Sequence, residues 1–224
     1  MRAIVRLCLV PFLALPIAAS AAAPAVETHE CVRSGGKIAE ERFVRIDGIE
    51  QWMTIRGGSC ANPVVLVVHG GPGNPMTPYA EQVYGAWEKD FTLVQWDQRG
   101  AGRTFGRNKG SAGETLTVER MAKDGIEVAE YVSRRLGKQK VILKGGSWGS
   151  VLGVHMAKMR PDLFAAYVGT SQLVSNSGNG LASYTQVLER ARAAGDTKTV
   201  ATIEALGPPP WKNPRNFGIL RRAT

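Results

Sequence analysis

Gly145-Gly146-Ser147-Trp148-Gly149 has the form G-x-S-x-G. It follows an apolar run, Lys140 to Leu143, and opens a helix-like run, Gly149 to Met159. A serine on such a sharp strand-to-helix turn is pushed out at the end of a sheet, where its Oγ can attack a carbonyl. Attack creates an oxyanion, and backbone N–H groups must point at it. One donor is expected from Trp148, directly after the serine. A second is expected from His69-Gly70-Gly71-Pro72-Gly73, most naturally from Gly71, where a glycine lets the backbone approach the substrate. Neither glycine-rich run suits a nucleotide. No Gly-Lys-Ser/Thr follows the first, and in Gly100-Ala101-Gly102-Arg103-Thr104-Phe105-Gly106 a phenylalanine stands where a third glycine belongs.

The elements that must hold these loops alternate. Glu41–Ile46 and Ile49–Arg56 flank Asp47-Gly48, a two-residue hairpin turn. Pro63 to Val68 is a continuous β-branched run, as in a parallel strand buried on both faces. Tyr79 to Lys89 reads as a short helix and Phe91 to Trp96 as the next strand. Thr117 caps a helix that Gly137 ends, with Glu119 near its positive dipole end. Phe164 to Val168 is one more strand. The order implies an α/β chain with a mostly parallel sheet, helices on both faces and an N-terminal antiparallel hairpin. Ser171 to Gly180 reads as a polar loop. Helices are expected over Leu181–Ala194 and Thr197–Leu206, before Gly207-Pro208-Pro209-Pro210. Residues 211–224 form an aperiodic basic tail. Asp97 and Arg99 are expected to form a structural ion pair near a strand end.

Arg2 and Arg6, an apolar run from Leu7 to Ala19, and Ala19-Ser20-Ala21 make residues 1–21 a signal peptide. The run is shorter than the ~20 residues that span a bilayer. Export to the periplasm or the outside follows, with no membrane attachment after cleavage. The formal charge of +9 falls to +7 when Arg2 and Arg6 leave. The remaining basic residues are scattered without interleaved aromatics, which argues against nucleic acid. Hydrophobic residues at 44% and charged ones at 21% place the chain among globular proteins. Cys31 and Cys60 are bound for an oxidising compartment. Pairing across the Asp47-Gly48 turn sets partners whose numbers sum to 95, which puts Cys60 opposite Gly35, four residues from Cys31. Either a disulfide or two thiols is open there.

His69-Gly70-Gly71-Pro72-Gly73, Asp97-Gln98-Arg99-Gly100 and Gly145-Gly146-Ser147-Trp148-Gly149 together resemble the proline iminopeptidases (prolyl aminopeptidases) of the α/β-hydrolase fold. The resemblance runs from Glu41 to Pro210. It implies a hydrolase core over residues 22–170, and a helical cap that begins over 171–210. It also implies release of an N-terminal residue, often proline, from peptides through an acyl-enzyme on Ser147. In the family, acidic cap residues hold the substrate's free amine, and Glu189 and Glu204 are the candidates in this stretch. A peptide or a small amide or ester is the expected partner. An esterase or lipase on the same fold, and a secreted non-catalytic ligand-binding fold, are the alternatives. No metal-ligand spacing occurs, so no cofactor is expected.

The chain departs from the family in its triad. The acid and the histidine should follow the serine in that order. After Ser147 the only histidine is His155, eight residues along the same helix and so about 12 Å away. His69 lies upstream in the oxyanion loop, and His29 belongs to no motif. Asp162 and Asp196 do not follow a late strand. The chain therefore reads as the truncated front of such a hydrolase, with the last strands missing and a frameshift near Trp211 as the hypothesis. Little or no turnover is expected from it.

Overall fold

A computed structural model describes residues 27–111, 115–213 and 215–223. The signal-peptide segment 1–21 lies outside them. The strands are β1 (Ile38–Ile46), β2 (Ile49–Gly57), β3 (Val64–Val68), β4 (Thr92–Trp96), β5 (Val141–Gly146) and β6 (Phe164–Thr170). The α-helices are α1 (Cys31–Ser34), α2 (Ala80–Tyr84), α3 (Gly102–Arg107), α4 (Val118–Arg135), α5 (Trp148–Met159), α6 (Asn176–Ala193), α7 (Thr197–Leu206) and α8 (Arg215–Arg222).

The strands form one sheet in the order β1-β2-β4-β3-β5-β6. The hairpin pairs Ile46 with Ile49 and Ile38 with Gly57, and β2 joins β4 antiparallel. The remaining pairs are parallel. Every residue of β3 and β4 is buried, which is why both lack polar–apolar alternation. One face packs Leu66, Val68, Val94, Trp96 and Leu143 against Met121, Val128 and Val132 of α4 and Leu152 and Met156 of α5. The other carries a smaller cluster of Val65, Val67, Leu93 and Tyr84. β6 is the outer parallel strand, and five of its seven residues are exposed.

Local chemistry explains the helix ends. The Thr117 side chain accepts the Arg120 N–H at 3.1 Å and so starts α4. Gly137, at φ 60°, follows the last turn. α6 starts earlier than its apolar pattern suggests, because the Ser175 side chain accepts the Gly178 N–H and draws part of the expected loop into the helix. Residues 211–224 are not an aperiodic tail. Within them α8 turns Leu220 inward onto Val187 of α6 and Ile203 of α7, and the Trp211 indole N–H donates to the Leu206 and Gly207 carbonyls. Two turns of helix are too short for a visible period, and the buried contact decides the matter.

Cys31 and Cys60 are joined by a disulfide, with Cα atoms 5.7 Å apart. The Cys60 N–H also donates to the Gly36 carbonyl at 3.0 Å. The bond closes a loop around the whole hairpin and contributes about 3–4 kcal/mol by restricting the unfolded chain.

The expected ion pair between Asp97 and Arg99 does not form. Arg99, 3% exposed, donates from Nε and Nη2 to the two carboxylate oxygens of Asp124 on α4, at 2.9 and 3.1 Å. Its Nη2 also reaches the Asp47 carbonyl in the hairpin turn at 3.0 Å. Gln51 donates to Asp124 at 2.8 Å and accepts the Trp96 indole N–H at 2.6 Å. The helix that supplies the real partner is distant in sequence. Burial pushes the Asp124 carboxyl up, against the pull of the Arg99 and Gln51 donors. Asp124→Ala would strip a buried guanidinium of its bidentate partner and leave it the Asp47 carboxylate at 3.2 Å. It should lower unfolding stability by about 3 kcal/mol, read from the midpoint of urea denaturation.

Candidate active site

Ser147 sits between β5 and α5 with φ 51° and ψ −121°, a conformation that side-chain-bearing residues rarely adopt. Its backbone is pinned on both sides. The N–H donates to the Thr170 carbonyl at 3.0 Å, and its own carbonyl accepts the Ser150 N–H and hydroxyl at 2.8 and 2.6 Å. The side chain is left exposed and makes no hydrogen bond among the described residues.

The elbow lies hard against the end of β3. A Cβ on Gly149 would stand 2.0 Å from the Val68 carbonyl oxygen, so no larger residue fits. A Cβ on Gly70 would lie 3.1 Å from the Gly146 oxygen and 3.3 Å from Ser147 Cβ, which places the His69–Gly73 loop directly beside the serine. Gly71 has φ 118°, and a side chain there would meet the Gly73 and Asn74 nitrogens at 2.7 and 2.8 Å. Neither the Gly71 N–H nor the Trp148 N–H has an acceptor among the described residues. Trp148 is the first residue of α5, where N–H groups have no carbonyl one turn earlier to bond. Both loops border a cavity of about 290 Å³ that also takes in Tyr84, Lys144, Thr170 and Arg221.

His69 is 3% exposed and both ring nitrogens are engaged. Nδ1 lies 2.9 Å from the Gly70 carbonyl, and Nε2 accepts the Gln98 N–H at 3.1 Å. That pairing requires the neutral tautomer with the proton on Nδ1. Burial also holds the imidazole pKa below its ordinary value, against the pull of the Gly70 carbonyl. His69 Nε2 is thus an acceptor inside the His69–Gly73 loop. His155 is exposed on α5, and the His29 Nδ1 accepts the Cys31 N–H at 3.1 Å. The ligand atoms of His29, Cys31 and Cys60 come within 4.8 Å of one another, but both sulfurs are in the disulfide.

The proposed amine-binding carboxylates are not brought to Ser147. Glu189 is exposed on α6, and Glu204 on α7 pairs with Arg192 at 2.7 Å. Asp196 caps α7 through the Thr199 N–H, and Asp162 is tied to Arg160. Helical spacing cannot say which way a small helical unit faces when its three helices pack chiefly on one another. Three cavity residues escaped sequence reasoning. Lys144 leaves a signal, as a charge within an otherwise apolar strand. Its Nζ lies 3.3 Å from the Tyr84 hydroxyl and 5.4 Å from the ring centre. Tyr84 and Arg221 leave none, because only the fold brings them there.

A six-stranded mixed sheet with a serine on a strand-to-helix turn has the layout of a hydrolase scaffold. The chain belongs to the α/β hydrolase fold family, which it matches over residues 63–206. Within it, the chain is 34% identical over 175 residues to a probable aminopeptidase of Bacillus subtilis, covering 78% of this chain and 54% of that protein. It is 32% identical over 115 residues to a probable proline iminopeptidase of Streptomyces coelicolor, covering 50% of this chain and 34% of that one. A solved proline iminopeptidase-related protein of Thermus thermophilus shares the fold, with a TM-score of 0.54 at 21% identity, over 83% of this chain and 56% of that one. The chain spans about half the length, or less, of the curated relatives it matches.

The neutral His69 makes stability depend on pH. An unfolded histidine takes up a proton below about pH 6.5, and the folded one resists it. Its contribution is therefore present above pH 6.5 and lost as pH falls toward the depressed folded value. The melting temperature should drop more between pH 7.5 and 5.5 in the wild type than in His69→Gln. Equal slopes in thermal melts would place the titration elsewhere.

Proposed function

We propose that this chain is the acylating part of an exported serine hydrolase of the proline iminopeptidase type. The observation that carries the reading is Ser147, exposed on its elbow beside two N–H groups that lack acceptors. In the proposed reaction Ser147 Oγ attacks the scissile carbonyl of a peptide, and the Gly71 and Trp148 N–H groups take the oxyanion. The amine carrying the rest of the peptide leaves, and water releases the acyl group from Ser147. A base must accept the serine proton. His69 cannot, since its Nε2 already accepts the Gln98 N–H. With no other imidazole at Ser147 among the described residues, turnover by the chain is slow. The basic and apolar segment 1–21 and the Cys31–Cys60 disulfide fit export to an oxidising compartment.

One observation favours an ester-cleaving reading beside the peptidase one. The cavity at Ser147 carries Lys144 and Arg221 and, among the described residues, no carboxylate to hold a free amine. An ester also has a better leaving group and depends less on an acid to protonate it.

The mature chain should be assayed with a prolyl anilide and an aryl acetate, with Ser147→Ala alongside. Acylation by the aryl ester should exceed that of the variant by ~10-fold or more, because the variant keeps the oxyanion donors and lacks the nucleophile. Anilide release should match the variant. Ester reaction at the same rate in both would sink the role given to Ser147, and rapid anilide turnover would mean that a base does reach it.

A further inference from the structure

We infer that Gln98 is the positioning residue that sets the two oxyanion donors relative to each other. The inference rests on the serine-hydrolase reading above and assigns a role to a side chain that never touches the cavity. Gln98 is fully buried in the turn after β4 and spans two loops. Its Nε2 donates to the His69 carbonyl at 2.9 Å. Its Oε1 accepts the Trp148 indole N–H at 3.3 Å. Its backbone N–H donates to His69 Nε2 at 3.1 Å, and the His69 Nδ1–H in turn holds the Gly70 carbonyl at 2.9 Å. One unbroken chain therefore runs from the side chain of the residue that bears one oxyanion donor to the peptide that bears the other. The Gly70 carbonyl and the Gly71 N–H belong to the same planar unit, so fixing one orients the other.

The chemistry demands this side chain. An amide offers a donor and an acceptor from one rigid plane. A carboxylate would lack the donor for the His69 carbonyl, a thioether would lack a strong form of both, and Asn is one methylene shorter. A buried glutamine kept only for its own satisfaction could bond within its own turn. Gln98 makes no side-chain bond there, and both its arms reach loops that come from other strands.

The test uses the whole mature chain with Gln98→Met, which keeps the volume and removes both arms, and Trp148→Phe. The second variant keeps the Trp148 backbone N–H and breaks only one arm, so it serves if Gln98→Met does not fold. Acylation by an aryl acetate, measured over a concentration series, separates the acylation rate constant from apparent ester binding. Gln98→Met should lower the rate constant by ~10-fold with binding unchanged within about twofold, because a donor is tilted and not deleted. Adding Trp148→Phe to it should cost nothing further. Amide hydrogen exchange at Asn74 and Ser150, whose N–H groups bond the Gly70 and Ser147 carbonyls within the two loops, should quicken in Gln98→Met while Leu66 and Leu143 stay protected. An unchanged rate constant in a folded variant, or unchanged exchange at both Asn74 and Ser150, overturns the inference. If the wild type acylates no faster than Ser147→Ala, the hydrolase reading fails, and the exchange data alone decide whether Gln98 positions the loops.

Discussion

Everything at the candidate site depends on how closely α5 begins against the end of β3. The Val68 carbonyl oxygen occupies the space where a side chain on Gly149 would go. That contact lets the elbow sit directly on the neighbouring parallel strand. The loop leaving β3 then runs past Ser147, and a Cβ on its Gly70 would stand 3.3 Å from the serine Cβ. Gly145, where a Cβ would stand 2.4 Å from the Gly149 oxygen, keeps the turn itself equally tight. The strained φ of Ser147 is the local result, and it is held by hydrogen bonds on both sides of the residue. Removing space, not adding interactions, brings the reactive groups together here.

A second layer of order comes from three consecutive buried residues after β4. Asp97 turns toward α3 and the loop before α2, accepting the Arg103 N–H at 2.8 Å and the Thr77 hydroxyl at 2.7 Å. Gln98 turns toward the His69–Gly73 loop and the Ser147 elbow. Arg99 turns toward α4 and the hairpin. Each of the three would be costly to bury alone, and each is matched by partners from a different part of the chain. A short polar run thus links six neighbouring pieces of structure to the C-terminal end of one central strand.

How much of this was legible follows from how local each cause is. The hairpin register was readable, because Asp47-Gly48 allows one tight turn and every later pair follows from it. The start of α4 was readable from Thr117 and the end of α7 from Gly207, whereas the Asp196 side chain that caps the start of α7 emerges only in the structure. The elbow was readable because a strand, a serine between glycines and a helix stand in direct succession. The partner of Arg99 was not, since Asp124 is brought near only when α4 packs on the sheet. α3 was hidden in a glycine-rich run that looked like loop; its first turn is held by the Asp97 carboxylate, which no periodicity records. The orientation of α6 to α8 was equally hidden, and with it the distance of Glu189 and Glu204 from Ser147.

The parallel pairing of β3 with β5 has a further consequence, in the order in which the chain can assemble. β1 and β2 meet across a two-residue turn, so their ladder closes almost no loop. Val65 must instead find Ile142, with β4 and α4 lying between them in sequence. The entropy of closing that long loop must be met before its contacts give anything back. The hairpin, ringed by its disulfide, can form early and independently. The junction that sets Ser147 beside the His69–Gly73 loop carries the widest loop closure among the described strand pairs, so a partly assembled chain would have strands, helices and a sound hairpin before that corner exists.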